Sequence, residues 1–428
     1  MLGGGTYVTQ NKILPGAYIN FVSASSTSTT FGERGYVAMA LALKWGVDGE
    51  IFTVTADDFR KNTLKLFGFT YDSEEAKGLR DLFKNINTLY CYKLMNGGDY
   101  ATNSVAKAKY KGSAGAKIST EILTGTASGT FDVNVYFETS LVYSKTVSSV
   151  DELKAEDNGW VEWTIDTLAA TDRTFLTGTD LDGAAVTATE HSAFLNAAQS
   201  YTFNAMGCVS TEDAIKELYV QEVKDMRENA GIKYQLVVFD KAADHEGVVN
   251  VKNSADAVYW ATGVIAGCAV NASNTNKTYD GEFAIPTSYT KADLEAAIKN
   301  GEFTFHKVGD EVRVLEDINS LTTTTAEKGE DFKSNQTIRV IDQIAMDIAS
   351  IFNNKYLGKI PNDASGRISL WNDIVKHHQN LQSLRAIEEF NPEDVVVELG
   401  DTKKSVVVSD VITVVNAMSQ LYMSVVVA

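Results

Sequence analysis

Few residues in this chain are grouped as chemistry would require, and spacing decides each case. Asp240 and His245 share a loop after an apolar run and could supply two members of a hydrolase triad. A nucleophilic serine would have to stand in a glycine-framed turn, and none does. His377 and His378 are adjacent within a helical stretch, 368–384, where successive side chains point about a hundred degrees apart. That makes a poor two-histidine metal site, and a solvated helix surface is the plainer expectation. Asp180 and Asp182 beside Gly183 lack the spacing and closing glutamate of a calcium loop and read as a turn. Residues 329–334, GEDFKS, lack the second glycine and the Lys-Ser/Thr ending of a phosphate-binding loop. Cys91, Cys208 and Cys268 are odd in number and far apart, as expected of buried free thiols made in a reducing compartment. No catalytic residue, metal site or cofactor is expected, and the chain reads as a non-enzyme.

The elements that would position any site belong to a large, acidic, folded chain. Its 428 residues suffice for about three domains with real cores. An apolar content of 44% with only four prolines argues for folding throughout. The formal net charge of −18 opposes phosphate contacts, so nucleic acid is not an expected partner. The longest apolar stretch, 255–272, carries Asp256, Tyr259, Thr262 and Asn271 and is too short and polar for a bilayer span. Residues 1–5 lack a basic start and no apolar run follows, so neither a secretory signal nor membrane insertion is expected.

Along the chain, 36–44 reads as a buried strand or helix ending at a glycine, 50–55 and 88–95 read as strands, and helices are expected at 56–66 and 73–85. From 106 to 189 the pattern alternates with a period of two, at 116–123, 130–139, 141–147 and 160–165, between glycine turns. That region is expected to be an all-β insert. Alternation of strand and helix then resumes: a strand at 201–206, a helix capped by Ser210 and stopped at Gly231, and strands at 234–239 and 247–251. A small-residue helix after Ser254 is expected to pack on a sheet, and a helix capped by Thr290 precedes a hairpin at 303–306 and 311–315. Alternating β and α elements imply a layered sheet flanked by helices.

Both ends of the chain pose a pairing problem. Residues 395–397, 406–408 and 425–427 are β-branched runs, and an uncharged MSVVVA tail left unpaired would be an aggregation template. Either it completes a sheet of its own chain, or it pairs with another copy. Near the start, 14–24 (LPGAYINFVSA) is a second strand-like segment, followed by the polar, linker-like SSTSTT. Strands at both ends, one of them on a leash, suit exchange between subunits.

The runs VLEDINSLTTT from Val314 and IRVIDQIAMDIASIFNNKYLGKIPND from Ile338 resemble the contractile tail sheath proteins of phages and phage-tail-like bacteriocins. The ending FNPEDVVVELGDTKKSVVVSDVITVVNAMSQLYMSVVVA, the early LPGAYINF and AKYKGSAGAKI at 108–118 resemble the same family. Ala116 departs from the asparagine expected after that glycine. The resemblance implies an α+β multi-domain fold, with a subtilisin-like α/β layered domain (31–105 plus 190–325) interrupted by a β-sandwich-like insert (106–189). An arm and linker (1–30) would precede it, and a C-terminal sheath domain with a strand arm (326–428) would follow. It implies a structural subunit that stacks as hexameric rings around an inner tube and contracts to drive that tube through a cell envelope. Other copies, the tube protein, and baseplate and collar proteins would be the partners. Assembly would take place in the bacterial host cytoplasm, followed by release within an extracellular particle. The arms carried over are Gly16, Ala17, Tyr18, Ile19, Asn20, Phe21 and Val22 at the start, and Leu421, Tyr422, Met423, Ser424, Val425, Val426 and Val427 at the end. The receiving hairpin would be Val395, Val396, Val397, Glu398 and Leu399 with Val406, Val407 and Val408. The locally basic 353–385 segment offers Lys355, Lys359, Arg367, Lys376, His377 and Arg385 as a tube-facing set, set against a merely solvated helix face. The rival from another class is a subtilisin-like fold with hydrolase or ligand-binding activity.

Overall fold

The computed structural model describes residues 33–427, so the strand expected at 16–22 lies outside it. The chain opens with β1 (Tyr36–Leu41), β2 (Ile51–Thr55), α1 (Ala56–Phe67), α2 (Lys77–Phe83) and β3 (Thr88–Lys93). Thr55 and Asp58 close a capping box at the start of α1, and Gly68 ends it in the left-handed region at φ 74°. Phe59, Thr63 and Phe67, each four residues apart, form its buried stripe.

The insert follows as β4 (Ala106–Ala108), β5 (Ile118–Thr124), β6 (Phe131–Phe137), β7 (Ser140–Val147), α3 (Val150–Lys154), β8 (Val161–Trp163) and β9 (Thr171–Phe175). Four strands make an antiparallel sheet in the order β7-β6-β5-β9, and β4 pairs with β8. The strand expected over 160–165 is shorter, because Asn158 Oδ1 accepts the backbone N–H groups of Trp160 and Val161 and holds Trp160 in a turn. The two ends of the insert are pinned by reciprocal backbone bonds of 2.8 Å between Thr102 and Thr177.

The second half supplies α4 (Ala188–Ala198), β10 (Ala205–Cys208), α5 (Asp213–Asp225), β11 (Gln235–Phe239), β12 (Val248–Val251), α6 (Ala257–Gly267), α7 (Lys291–Lys299), β13 (Glu302–Phe303), β14 (Phe305–Val308) and β15 (Glu311–Val314). Seven strands unite as β13-β12-β11-β10-β1-β3-β2, parallel throughout except for the β2–β3 edge. Val37 and Met39 point to the face covered by α1, α2 and α6, while Ala38 and Ala40 point to the face covered by α4 and α5. The strand expected at 201–206 begins later, because Asn204 Oδ1 accepts from the Gly35 and Tyr36 amides before the ladder starts. Helix α5 starts at Asp213, with Ser210 Oγ accepting the Glu212 amide, and runs through a π-turn to Gly231 at φ 72°. The small residues of α6 admit more than the sheet. A Cβ on Gly263 would lie 2.8 Å from Leu82 O, and one on Gly267 would lie 1.8 Å from Asn85 O, both at the end of α2.

The last quarter contains α8 (Asn335–Ile351), α9 (Ala364–Ser383), β16 (Ile387–Glu388), β17 (Val396–Leu399), β18 (Val406–Ser409) and β19 (Thr413–Val414). Helix α8 turns a polar face inward, with Asn335, Arg339, Asp342 and Gln343 all buried against the sheet unit. The bonds there are charged and matched. Arg227 forks onto Asp342 at 2.7 and 2.8 Å, and Arg339 meets Asp317 at 3.1 Å. Asp317 also accepts from the Asn274 amide and Asn335 Nδ2, so one carboxylate joins three chain segments. The fold is α+β and multi-domain. No helix of the described residues is long and apolar enough to cross a membrane.

Candidate assembly surface

The constellations that could do chemistry are engaged in holding the chain together. Asp240 binds Lys252 at 2.7 Å, and His245 Nε2 faces Glu228 at 3.2 Å. The nearby Ser320 hydroxyl donates to the His245 carbonyl and not to its ring, so no relay forms. Asp182 accepts the Ser113 amide and pairs with Lys44 across the base of the insert. Residues 329–334 form a short turn, and Ser334 caps α8. All three cysteines are free and buried, and burial pushes the Cys208 thiol up to about 11, which makes it inert. Among the described residues no cluster of potential metal ligands occurs.

His377 overturns the expectation of an exposed, tube-facing residue. It is 1% exposed and His378 is fully buried, although adjacent helical positions point well apart. Both can be buried because α9 is enclosed on two sides. His377 Nε2 meets Asp347 of α8 at 3.0 Å, and His378 Nε2 lies 2.8 Å from Asp410, just beyond the strand 406–409. The rest of the basic set is divided. Lys376 and Arg385 are exposed, whereas Lys355 binds Asp373, Lys359 binds the Asn354 carbonyl, and Arg367 is half-buried on Asn362.

The hairpin lies at the outer side of α9. Its register pairs Val396 with Ser409, Val397 with Val408, Glu398 with Val407 and Leu399 with Val406. Val395 precedes the strand, buried, and its carbonyl accepts from Trp371 Nε1 at 2.8 Å. Val397 and Val406 pack on Tyr356, Leu370 and Ile374, so one face of the ribbon rests on the body. Val396, Leu399, Val407 and Val408 are exposed. The ribbon is two-stranded, and neither outer edge is paired within the described residues.

Beyond the hairpin the chain is fastened and then released. β19 pairs with β16, and the Val415 amide donates to Ala386 O. Gln336 bonds the Val415 carbonyl and the Ala417 amide, and Asn416 accepts from Ser334 Oγ. From Met418, which is wholly exposed, to Val427 at 91% exposure, the segment joins no sheet among the described residues. Leu421, Tyr422, Met423, Val425 and Val426 stand equally open. Of the two pairings left open by the sequence, completion of a sheet with its own chain is not seen among the described residues.

Comparison with known proteins follows the same lines. A family model described as the phage tail sheath protein central domain matches residues 184–320, and one described as the phage tail sheath C-terminal domain matches 327–428. A sheath tail protein from Desulfitobacterium hafniense is 33% identical, with a TM-score of 0.77 over 90% of this chain and 93% of that one. Another from Listeria innocua is 28% identical, with a TM-score of 0.80 over the same shares. The contracted helical sheath of the anti-feeding prophage shares the fold at 12% identity, with a TM-score of 0.58 over 96% of this chain and 98% of that one.

Proposed function

The chain belongs to the phage tail sheath family, a structural family of contractile systems, and from that premise we propose that it is the repeating unit of a sheath woven by exchanged strands. Copies stack as hexameric rings around an inner tube, held between baseplate and collar proteins, and contraction drives the tube through a cell envelope. The seven-stranded unit is read as subtilisin-like in topology, without that fold's chemistry. The particle assembles in the host cytoplasm and acts outside it. The exposed faces of Lys376 and Arg385 suit an acidic tube surface.

One observation carries this reading: an apolar tail that leaves the body at Met418 uncovered, together with a β-ribbon whose outer edges are unpaired among the described residues. A strand of a neighbour's tail, with a neighbour's residues 16–22, fits those edges by β-augmentation. Main-chain bonds would hold each link without fixing the angle between bodies, so rigid units can rotate while links persist. The absence of a nucleotide loop in the sequence suits energy stored at assembly, in an extended lattice with less buried interface than the contracted one. Deleting residues 423–428 tests it. The truncated protein is expected to fold, with an unchanged circular dichroism spectrum, and to form no striated tubes by negative-stain microscopy. Normal contractile sheaths from the truncation would refute the exchange.

A further inference from the structure

We propose that His378 and Asp410 form a clasp that sets where the C-terminal arm leaves the body. This rests on the exchanged-strand reading and adds a pair of positioning residues to it. His378 is fully buried in α9, and Nδ1 lies 2.9 Å from the Ile374 carbonyl, which can only accept, so Nδ1 carries a proton. Nε2 is 2.8 Å from Asp410 Oδ2, a charge contact more than an aligned hydrogen bond. The two ring nitrogens thus face two acceptors, the Ile374 carbonyl on one side and the Asp410 carboxylate on the other. The other groups around the ring are His377, itself engaged by Asp347, and the Phe390 ring at 5.2 Å.

Asp410 is the first residue after β18 and the last before the segment that becomes β19 and the arm. Downstream, the strand holds the body through a two-residue ladder and through neutral side-chain bonds at Gln336 and Asn416. A two-residue ladder is weak support for an exposed strand. The charged contact at its head determines the line along which the strand crosses α9, and so the position of Ala417, where the free segment begins. Ile412 and Val414 then drop into the small apolar cluster of Val340, Leu381 and Ile387.

The test is amide hydrogen exchange on the full-length protein, read peptide by peptide, beside sheath formation by microscopy. Asp410→Asn keeps the shape and removes the charge. It is expected to speed exchange across 411–417 about tenfold, which corresponds to about 1.4 kcal/mol of local stability. Peptides from β11 and the middle of α9 should not change, and tubes should become fewer and irregular. Asp410→Glu, which restores the charge, should recover both readouts. The substitutions are made at Asp410 and not at the fully buried His378, because the Asp410 side chain is partly exposed at 24%. Unchanged exchange at 411–417 in Asp410→Asn overturns the clasp. Faster exchange with regular sheaths overturns its role in aiming the arm. Failure of the exchanged-strand reading is separate, and shows as normal assembly after truncation of 423–428.

Discussion

Removing Asp342 tests how the α8 unit is fixed to the sheet unit. Arg227 and Asp342 are each about one-twentieth exposed, and their bonds are bidentate. Burial works against the guanidinium's charge, but Asp342, with Glu246 behind it, outweighs that cost and raises the pKa of Arg227. Removing one partner of a buried pair strands the other, typically at a cost of about 3–5 kcal/mol. The low end applies, since Glu246 Oε1 remains 4.0 Å from Arg227 Nε and the Tyr234 carbonyl still accepts from Nη1. Asp342→Leu is therefore expected to cost about 3 kcal/mol. Arg227→Met/Asp342→Leu should recover most of it, because both charges go together and apolar atoms fill the space. Urea denaturation followed by tryptophan fluorescence, run as a double-mutant cycle, should give a coupling energy of at least about 2 kcal/mol, the part of the Asp342→Leu cost that the double variant recovers. Single costs that add to the double within about 0.5 kcal/mol would refute the reasoning.

Two smaller predictions concern sites far from that junction. Asp244 accepts the amides of Thr323 and Thr322 and the Thr322 hydroxyl, which hold its carboxyl far below the usual carboxylate range. Its stabilising effect is present above the unfolded-state value of about 3.9 and is lost as pH falls below it. Asp244→Asn tolerates the φ of 47° and should flatten the decline in urea midpoint that the parent shows as pH falls from about 4.5 to about 2. An equally steep decline in both proteins would remove Asp244 from the account. Gly267→Ala would set a Cβ against the Asn85 carbonyl and should lower stability by about 1–3 kcal/mol in thermal melts, whereas an unchanged melt would show that α6 can shift.

Where local pattern and burial agreed, the sequence was a sufficient guide. The capping box at Thr290, the hairpin of β14 and β15, and the period-two strands β6 and β7 follow directly from residue types. Strand edges failed where a side chain took over a backbone bond, as at Asn158 and Asn204, because a single asparagine gives no periodic signal. His377 was misplaced for a different reason. A polar residue on a helix of low amphipathicity looks solvated until its acid, 30 residues away on α8, is known. The same blindness hid Asp317 and Arg339, whose partners lie on separate segments. Runs such as INSLTTT gave a hint without a reason, and the structure supplies one: Asn319, Ser320, Thr322 and Thr323 close the loop between the two units.

The pinning of Thr102 to Thr177 bears on how the polypeptide reaches this state at all. The central seam of the large sheet joins Val37 to Ala205, a separation of 168 positions (205 − 37), so half a sheet must wait for its other half to be synthesised. Once the intervening β-rich module is formed, its ends are 75 positions apart in sequence (177 − 102) but already touching, which shortens the effective loop to about 93. The closure entropy saved is only about 0.5 kcal/mol. The larger effect is one of order. A module that ties off its own base keeps its sticky strands away from the waiting half-sheet, and leaves the nascent chain one productive way to shut.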